Sequence, residues 1–345
     1  MTTQASTKPH KDRKRANEVK TAPLSGSIPS LGDCAYQAIQ NHFKKSIKHQ
    51  IDVLKDEDPE PLHQMRVGMR RLRTALQVFQ PALDFPETIG DQQIAKIAKS
   101  LGKVRDLDVL QIWFQKYLDS SATKSESKQI KQVLSSLQQR RRKQFTQMKK
   151  TLKSSRYQTF VESFSSWLAQ PAYQPLASLS LEVVLPDLLL PLISHLLLHP
   201  GWLVATQFQS GKLQPIPTMS FSALNQKLQQ QGTILHDLRK QMKQVRYQTE
   251  FFVNFYDSVY TAQTKEFRTI QDLLGQLQDE SVLSEFLEHE LGTAWKQLIP
   301  SLDQYFQQEC LSIWQQWQPI QQRYLDPDFR NTLRHRVMAP TLGNV

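Results

Sequence analysis

Most of the chain has apolar residues spaced three and four positions apart, as in an amphipathic α-helix. Between residues 31 and about 169, leucine, isoleucine and phenylalanine recur at these steps, with glutamine, lysine and arginine between them. Breaks rich in proline, glycine or serine fall around residues 58–61, 81–90 and 120–125. The pattern therefore predicts at least four helices here. No run alternates apolar and polar residues, so we predict an all-α fold.

The pattern changes between residues 171 and 220, a segment rich in proline. The apolar stretch 181–204 has the length of a membrane span, but Pro186, Asp187 and Pro191 interrupt it. We therefore predict a buried connector with short helices. The helical pattern returns over residues 221–325, and residues 326–345 have the composition of a short basic tail.

Two segments of the chain resemble each other at a constant separation of 173 residues, the distance from His63 to His236. Residues 62–73 read LHQMRVGMRRLR and align without a gap to residues 235–246, LHDLRKQMKQVR. The same separation pairs Phe79 with Phe252, Leu101-Gly102 with Leu274-Gly275, and Asp106 with Asp279. Separate motifs in one register indicate an internal duplication, with helical halves at 30–170 and 221–325.

Each copy predicts an apolar seam beside a basic stripe. The first seam is Leu62, Met65, Met69, Leu72, Leu76 and Phe79, at steps of three and four. The first basic stripe is His63, Arg66, Arg70 and Arg73, and the second is His236, Arg239, Lys243 and Arg246. One residue turns a helix by about 100°, so each stripe flanks the core face. Asp58 and Thr233 are the expected helix starts, which would put both histidines in a first turn, where free N–H groups favour anions.

These stripes have two interpretations, a solvated helix face or an anion-binding site. A face that serves solubility usually mixes charges, but residues 62–79 contain no aspartate or glutamate. Like charges three and four residues apart repel one another. Because both copies accept that repulsion, we favour an anion-binding site.

Further basic residues are candidates for the same site. They are Lys96, Lys99 and Lys103 with the adjacent Arg105, and the i,i+4 pair Lys44 and Lys48. The dense basic runs at 140–143 and 149–153 spread around their helix, so we interpret them as solvated surface. Asp106 and Asp279 are expected to be structural carboxylates that hold an arginine or cap a helix.

The charge balance favours a polyanionic partner. Lysine and arginine number 43 against 32 aspartates and glutamates, a net charge of +11. Residues 1–29 are basic and almost free of large apolar side chains, so we expect a disordered tail there. The two cysteines, Cys34 and Cys310, cannot form a disulfide framework, and this usage suits the cytoplasm.

Catalytic and metal-binding motifs are weak. His195 and His199 have an i,i+4 spacing but lack a nearby carboxylate or cysteine ligand. No nucleotide-binding glycine loop or serine-nucleophile elbow occurs, so no cofactor is expected. A phosphoryl-transfer enzyme would need His63 or His236 as the acceptor, and both fit better as anion donors beside arginines. We therefore predict a non-catalytic protein, with that enzyme as the alternative.

At these motifs the sequence resembles the CHAD family, the conserved histidine α-helical domain. The resemblance rests on the two His-x-x-Arg segments and on residues 101–108, LGKVRDLD, and covers about residues 28–324. It implies two four-helix bundles related by pseudo-twofold symmetry, with basic faces lining a groove or pore. It also implies that the two stripes bind inorganic polyphosphate without catalysis. The second copy departs from the motif, because Gln244 and Gln278 stand where the first has Arg71 and Arg105.

Two other partners remain as alternatives to polyphosphate. Single-stranded nucleic acid usually needs exposed aromatic residues for base stacking, but Phe79 and Phe252 belong to the apolar seams. A basic helical protein that binds nucleic acid is therefore the second choice, with the N-terminal tail as its most suitable contact. An anionic granule or membrane surface is the third.

Overall fold

The computed structural model of the protein describes residues 28–120 and 122–341. It is all-α, as predicted, with only two small two-stranded sheets among these residues. The first half holds α1 (Leu31–Lys48), α2 (Gln50–Lys55), α3 (Pro59–Phe79), α4 (Asp91–Ser120), α5 (Ser127–Leu152) and α6 (Ser155–Ala169). The predicted breaks near residues 58, 81–90 and 120–125 agree with the gaps between these helices. The expected basic tail lies outside the described residues except for residues 28 and 29.

The remaining helices follow the proline-rich segment. They are α7 (Leu181–Leu197), α8 (Phe221–Glu250), α9 (Ser258–Leu291), α10 (Trp295–Leu298), α11 (Pro300–Leu325) and α12 (Pro327–Met338). The strands β1 (Leu83–Asp84) and β2 (Ala172–Tyr173) pair with each other, as do β3 (Thr206–Gln209) and β4 (Lys212–Pro215). Both sheets are antiparallel.

The connector contains one long helix where short helices were predicted. Helix α7 continues through Pro186 and Pro191, and its buried leucines pack it against α8 and α12. Residues 181–203 have the length and hydropathy of a membrane-crossing helix, and 39% of that span is buried against the rest of the protein. Trp202, just after α7, stacks on Tyr324 of α11 with ring centroids 4.4 Å apart, which ties the connector to the second half.

The segment after residue 325 is a helix, although the sequence favoured a poorly patterned tail. Asp326 caps α12 by accepting a hydrogen bond from the Phe329 N–H at 2.9 Å. Leu333 and Val337 are buried, and the Tyr256 hydroxyl donates to the Val337 carbonyl at 2.8 Å. Phe329 also packs against the core, so three apolar residues spaced four apart face it, a short helical pattern that our sequence interpretation missed.

The expected helix starts are correct for α3 and wrong for α8. Asp58 caps α3, and its side chain accepts from the Glu60 N–H at 2.8 Å. Helix α8 instead begins after Ser220, because Leu224 is also buried and carries the apolar face upstream of Gly232 and Thr233. His63 is therefore the fifth residue of α3 and His236 lies in the middle of α8, so neither histidine lies in a first turn.

Both predicted seams are buried, and they belong to one core. All six residues of the first seam are at most 7% exposed, and so are their counterparts 173 residues later. Thr249, which replaces Leu76 in the second seam, satisfies its buried hydroxyl by donating to the Val245 carbonyl at 2.9 Å. Phe79 and Phe252 meet edge to face with centroids 5.8 Å apart. The two halves therefore share a continuous apolar core rather than having one each.

A second apolar cluster joins the halves at the far ends of their long helices. Phe114 of α4 packs against Phe286 of α9 with ring centroids 6.4 Å apart. Nearby, the Glu126 carboxylate of the first half accepts from the Ser301 N–H of α11 at 2.9 Å. The halves thus contact each other at both ends, and the middle of α3, α4, α8 and α9 lies between these contacts.

Gly68 sets how closely α1 approaches α3. A Cβ atom there would lie 2.7 Å from the Ser46 Oγ and 3.0 Å from the Ser46 Cα, so a backbone would have to move. We expect Gly68→Ala to lower the free energy of unfolding by about 1–3 kcal/mol, measured by urea denaturation. The matched control is Gly232→Ala in α8, where nothing lies within 4 Å. That change should raise stability by about 0.5–1 kcal/mol. Equal stability of the two variants would contradict this packing.

Candidate functional site

The two basic stripes lie half-buried along α3 and α8. All eight side chains are partly exposed, whereas the seam residues beside them are buried. This difference follows from the rotation of about 100° between neighbouring helix positions. The stripes are therefore at the edge of the core, with part of each side chain within reach of a ligand.

In the first half, carboxylates of α4 hold two arginines of the stripe. Asp91 accepts a bidentate pair of hydrogen bonds from Arg73, at 2.7 and 2.8 Å. Asp106 accepts a single bond from the Arg66 Nη2 at 3.2 Å. Gly102 of α4 lies beside Arg66, and a Cβ there would be in ordinary van der Waals contact with the Arg66 Nε, at 3.6 Å.

The second half shares the contact between glycine and arginine, but the carboxylate that holds its stripe arginine lies on α8 itself. Gly275 of α9 faces Arg239, where an added Cβ would lie 3.2 Å from two guanidinium nitrogens. Arg246 donates to Glu250 at 2.9 Å and to Gln271 at 3.1 Å. Each half thus places a glycine of the long helix beside an arginine of its stripe.

The stripes converge at one end, across Tyr247. The Arg70 guanidinium lies 4.4 Å from the Tyr247 ring centre, and that of Arg246 lies 5.2 Å from it. Arg71 of the first half donates to Glu250 of the second at 3.1 Å. Cation–π contacts and this ion pair offset part of the repulsion between the two basic faces. We did not identify Tyr247 or Glu250 from the sequence, because the offset of 173 pairs them with Thr74 and Gln77.

The cations of the two halves lie close enough to affect one another's pKa. Burial lowers the pKa of Lys243, and the nearby Arg239, Arg70 and Arg66 lower it further. The pKa of Arg70 is likewise lowered by burial and by Arg66 and Arg246, although Tyr247 opposes the shift. The charges of α3 and α8 are therefore concentrated where the two helices lie side by side. We call this surface, formed by the eight stripe residues, the basic cleft.

Both stripe histidines have lowered pKa values and buried ring nitrogens. Burial is the main cause for each, followed by Arg105 for His63 and by Lys240 for His236. The Nδ1 atoms of His63 and His236 and the Nε atoms of Arg70 and Arg239 are buried without a hydrogen-bond partner among the described residues. Seven other buried polar side-chain atoms of the described residues also have no partner, so this feature is not particular to the stripes.

The additional candidates divide between the cleft and other surfaces. Lys96, Lys99 and Lys103 are exposed on α4, and Arg105 is half-buried near His63. Lys99 is seven residues before Asp106, two helical turns, so it extends the same face of α4. Lys44 and Lys48 each lie two residues from Ser46, which contacts α3. They are therefore on the opposite side of α1 and are not brought to the cleft.

Two arginines expected on a solvated surface are structural instead. Arg141 of α5 bonds to Asp108 at 2.5 Å and to both oxygens of Asp56 at 2.7 Å. Arg140 pairs with Glu290 of α9. These contacts join residues that are distant in the sequence, so the basic run at 140–143 does not predict them. Asp106 does hold an arginine, as we expected of it.

The histidine pair of the connector does not form a metal site. The His199 Nδ1 accepts a hydrogen bond from the Gly201 N–H at 3.0 Å, which fixes it as a turn residue. Across residues 28–120 and 122–341, no three side chains of histidine, cysteine, aspartate or glutamate gather in a metal-binding arrangement.

A family model for the CHAD domain matches residues 37–288, most of the chain. The chain belongs to the CHAD domain family. Both stripes and both Gly-containing segments of α4 and α9 fall within the matched residues. A comparison with curated proteins found no match.

Two solved structures share the fold of this CHAD domain. The CHAD domain from the plant Ricinus communis is 22% identical in sequence and superposes with a TM-score of 0.57, covering 95% of this chain and 99% of that one. PptA from Streptomyces chartreusis is 16% identical and superposes with a TM-score of 0.54. The match covers 83% of this chain and 99% of the PptA chain. At these identities the likeness concerns the fold.

The pKa values of His63 and His236 provide a test of the electrostatics of the basic cleft. We expect both to titrate below the ordinary pKa of about 6.5, as followed by NMR of the ring protons. Arg105→Gln removes a cation beside His63, so it should raise the pKa of His63 and leave that of His236 unchanged. Assignments come from His63→Gln and His236→Gln. An equal shift of both resonances would contradict the arrangement described.

Proposed function

We propose that this CHAD domain binds inorganic polyphosphate, without catalysis, in the basic cleft between α3 and α8. The observation that carries the proposal is the convergence of two basic stripes, whose cations lie close enough to lower the pKa of Lys243 and Arg70 beyond the effect of burial. An oxyanion chain supplies the opposing negative charge, and its oxygens accept hydrogen bonds from the exposed parts of these side chains.

The chemistry of the cleft suits a repeating oxyanion. Linear polyphosphate carries about one negative charge per phosphate, and its non-bridging oxygens accept hydrogen bonds. Arginine presents a planar fork of donors that matches two oxygens at once, and lysine acts as a point charge. Three stripe arginines on α3 and two on α8 therefore offer successive contacts along one chain.

A binding role fits the histidines better than phosphoryl transfer does. In a catalytic site, a carboxylate commonly bonds to one ring nitrogen and orients the other. Neither His63 nor His236 has a hydrogen bond to a carboxylate among the described residues, and both lie beside cations. We therefore assign them to anion contact.

Nucleic acid is a weaker candidate because the cleft has no available stacking surface. Phe79 and Phe252 are buried, and Tyr247 is only 6% exposed beneath two guanidinium groups. Single-stranded nucleic acid gains much of its affinity from bases stacked on aromatic rings. The cleft offers charge to the backbone but little to the bases.

We also propose a cytoplasmic location, on the cysteines alone. Cys34 and Cys310 are free thiols, and burial raises the pKa of both to about 12. Two cysteines without a disulfide are typical of a protein kept in a reducing compartment.

The function is tested by competition between long-chain polyphosphate, RNA and DNA at physiological salt. We expect polyphosphate to displace both nucleic acids. Six phosphate contacts, at a slope of about 0.7 per contact, would lower the affinity roughly 300-fold between about 50 and 200 mM salt. Equal or tighter binding of nucleic acid, or an affinity independent of salt, would contradict the proposal.

The two halves should contribute unequally. We expect Arg66→Gln with Arg70→Gln to weaken polyphosphate binding about a hundredfold, and Arg239→Gln with Lys243→Gln about tenfold. The reason is that the first half adds Arg105, Lys99 and Lys103, where the offset gives Gln278, Asp272 and Gln276. Calorimetric titration with one chain length measures both variants.

Both double variants leave unchanged the two stripe arginines that carboxylates hold most firmly. Arg73 and Arg246 remain in place, so Asp91 and Glu250 keep their partners. Circular dichroism and melting should be close to wild type, because the seams are untouched. A greater loss of polyphosphate affinity in the Arg239→Gln, Lys243→Gln variant would contradict the expected difference between the halves.

A further inference from the structure

A carboxylate lies among the cations of the basic cleft. Asp106 accepts one hydrogen bond from Arg66, at 3.2 Å, and its side chain is 67% exposed. Arg66, Lys243, Arg105 and Arg239 all interact electrostatically with it. One carboxylate therefore faces cations from both halves, where a phosphate of the ligand would lie.

The equivalent residue of the second half lies near it. Asp279 is 173 residues further along the chain, is exposed on α9, and interacts with Arg239 and with Asp106 itself. The two carboxylates, on α4 and α9, are therefore within electrostatic range of each other. Like charges at short range raise the energy of a site unless something else requires them.

Other carboxylates show what a structural role looks like in this protein. Asp91 forms two short bonds to Arg73 and accepts a third from Gln77 at 3.0 Å. The Asp108 side chain is 5% exposed and bonds to Arg141 at 2.5 Å. Asp106 has a single longer bond and stays largely in water. Its contact with Arg66 is one that a ligand can displace.

We infer that Asp106 and Asp279 are internal competitors that set the affinity of the basic cleft and the shortest chain it retains. This inference rests on the proposed function. A phosphate that binds in the middle of the basic cleft must replace Asp106 as the partner of Arg66, and it must lie near both carboxylates. This unfavourable free energy is the same for every ligand that binds there, whatever its length. Attractive contacts increase with chain length, so only chains that reach most of both stripes exceed that cost.

The test uses Asp106→Asn and Asp279→Asn, singly and together, titrated with polyphosphates of graded length. Asparagine keeps the shape and removes the charge. We expect each change to tighten binding about five- to tenfold and the double variant to retain shorter chains than wild type. The salt dependence of binding should also steepen, because Arg66 would then release a counterion when the ligand binds.

The matched control is Asp328→Asn, which removes the same charge from an exposed position on α12. It should leave the affinity within twofold of wild type. If the wild-type protein binds polyphosphate but Asp106→Asn and Asp279→Asn both bind it equally or more weakly, the inference is overturned and the proposed function is not. A wild-type protein that does not bind polyphosphate would overturn the proposed function as well. Melting curves identify a misfolded variant, and the two single variants test the idea independently.

Discussion

Repulsion between two rows of cations is the constraint around which this molecule is organised. Burial lowers the pKa of Lys243 and Arg70, and the cations of the two stripes on α3 and α8 are close enough to lower both further. The apolar seam one position away on each helix supplies the opposing free energy, because its residues are buried in a core shared by both halves. A helix cannot bury its seam without also placing its stripe at the edge of that core.

Acidic side chains complete the balance in two different ways. At the end where the stripes converge, Glu250 receives Arg71, Arg246 and Arg268 at 2.9 to 3.2 Å and joins the halves. At the centre, Asp106 holds Arg66 weakly and remains in water. The first arrangement fixes the stripes against each other, whereas the second leaves cations that a stronger anion can take.

The local parts of this arrangement could be predicted from the sequence. The spacing of apolar residues predicts the seams. The constant separation of 173 residues between the two similar segments predicts that the basic stripe occurs twice. Contacts between distant residues could not be predicted: Arg71 and Glu250 are 179 positions apart, and Arg141 meets Asp56 across 85. The error over α12 has a different cause, because its core-facing residues Phe329, Leu333 and Val337 are spaced four apart and this short pattern was overlooked.

The shared core also bears on how the cleft works. Phe79 meets Phe252 at one end of the stripes, and Phe114 meets Phe286 beyond the other. The first of these contacts, together with the ion pair between Arg71 and Glu250, holds the ends of α3 and α8 together before a ligand binds. Part of the free energy needed to bring the cations together is therefore supplied by folding. A preorganised row of donors loses little further entropy on binding, and this favours a long regular anion over one that needs the site to reshape.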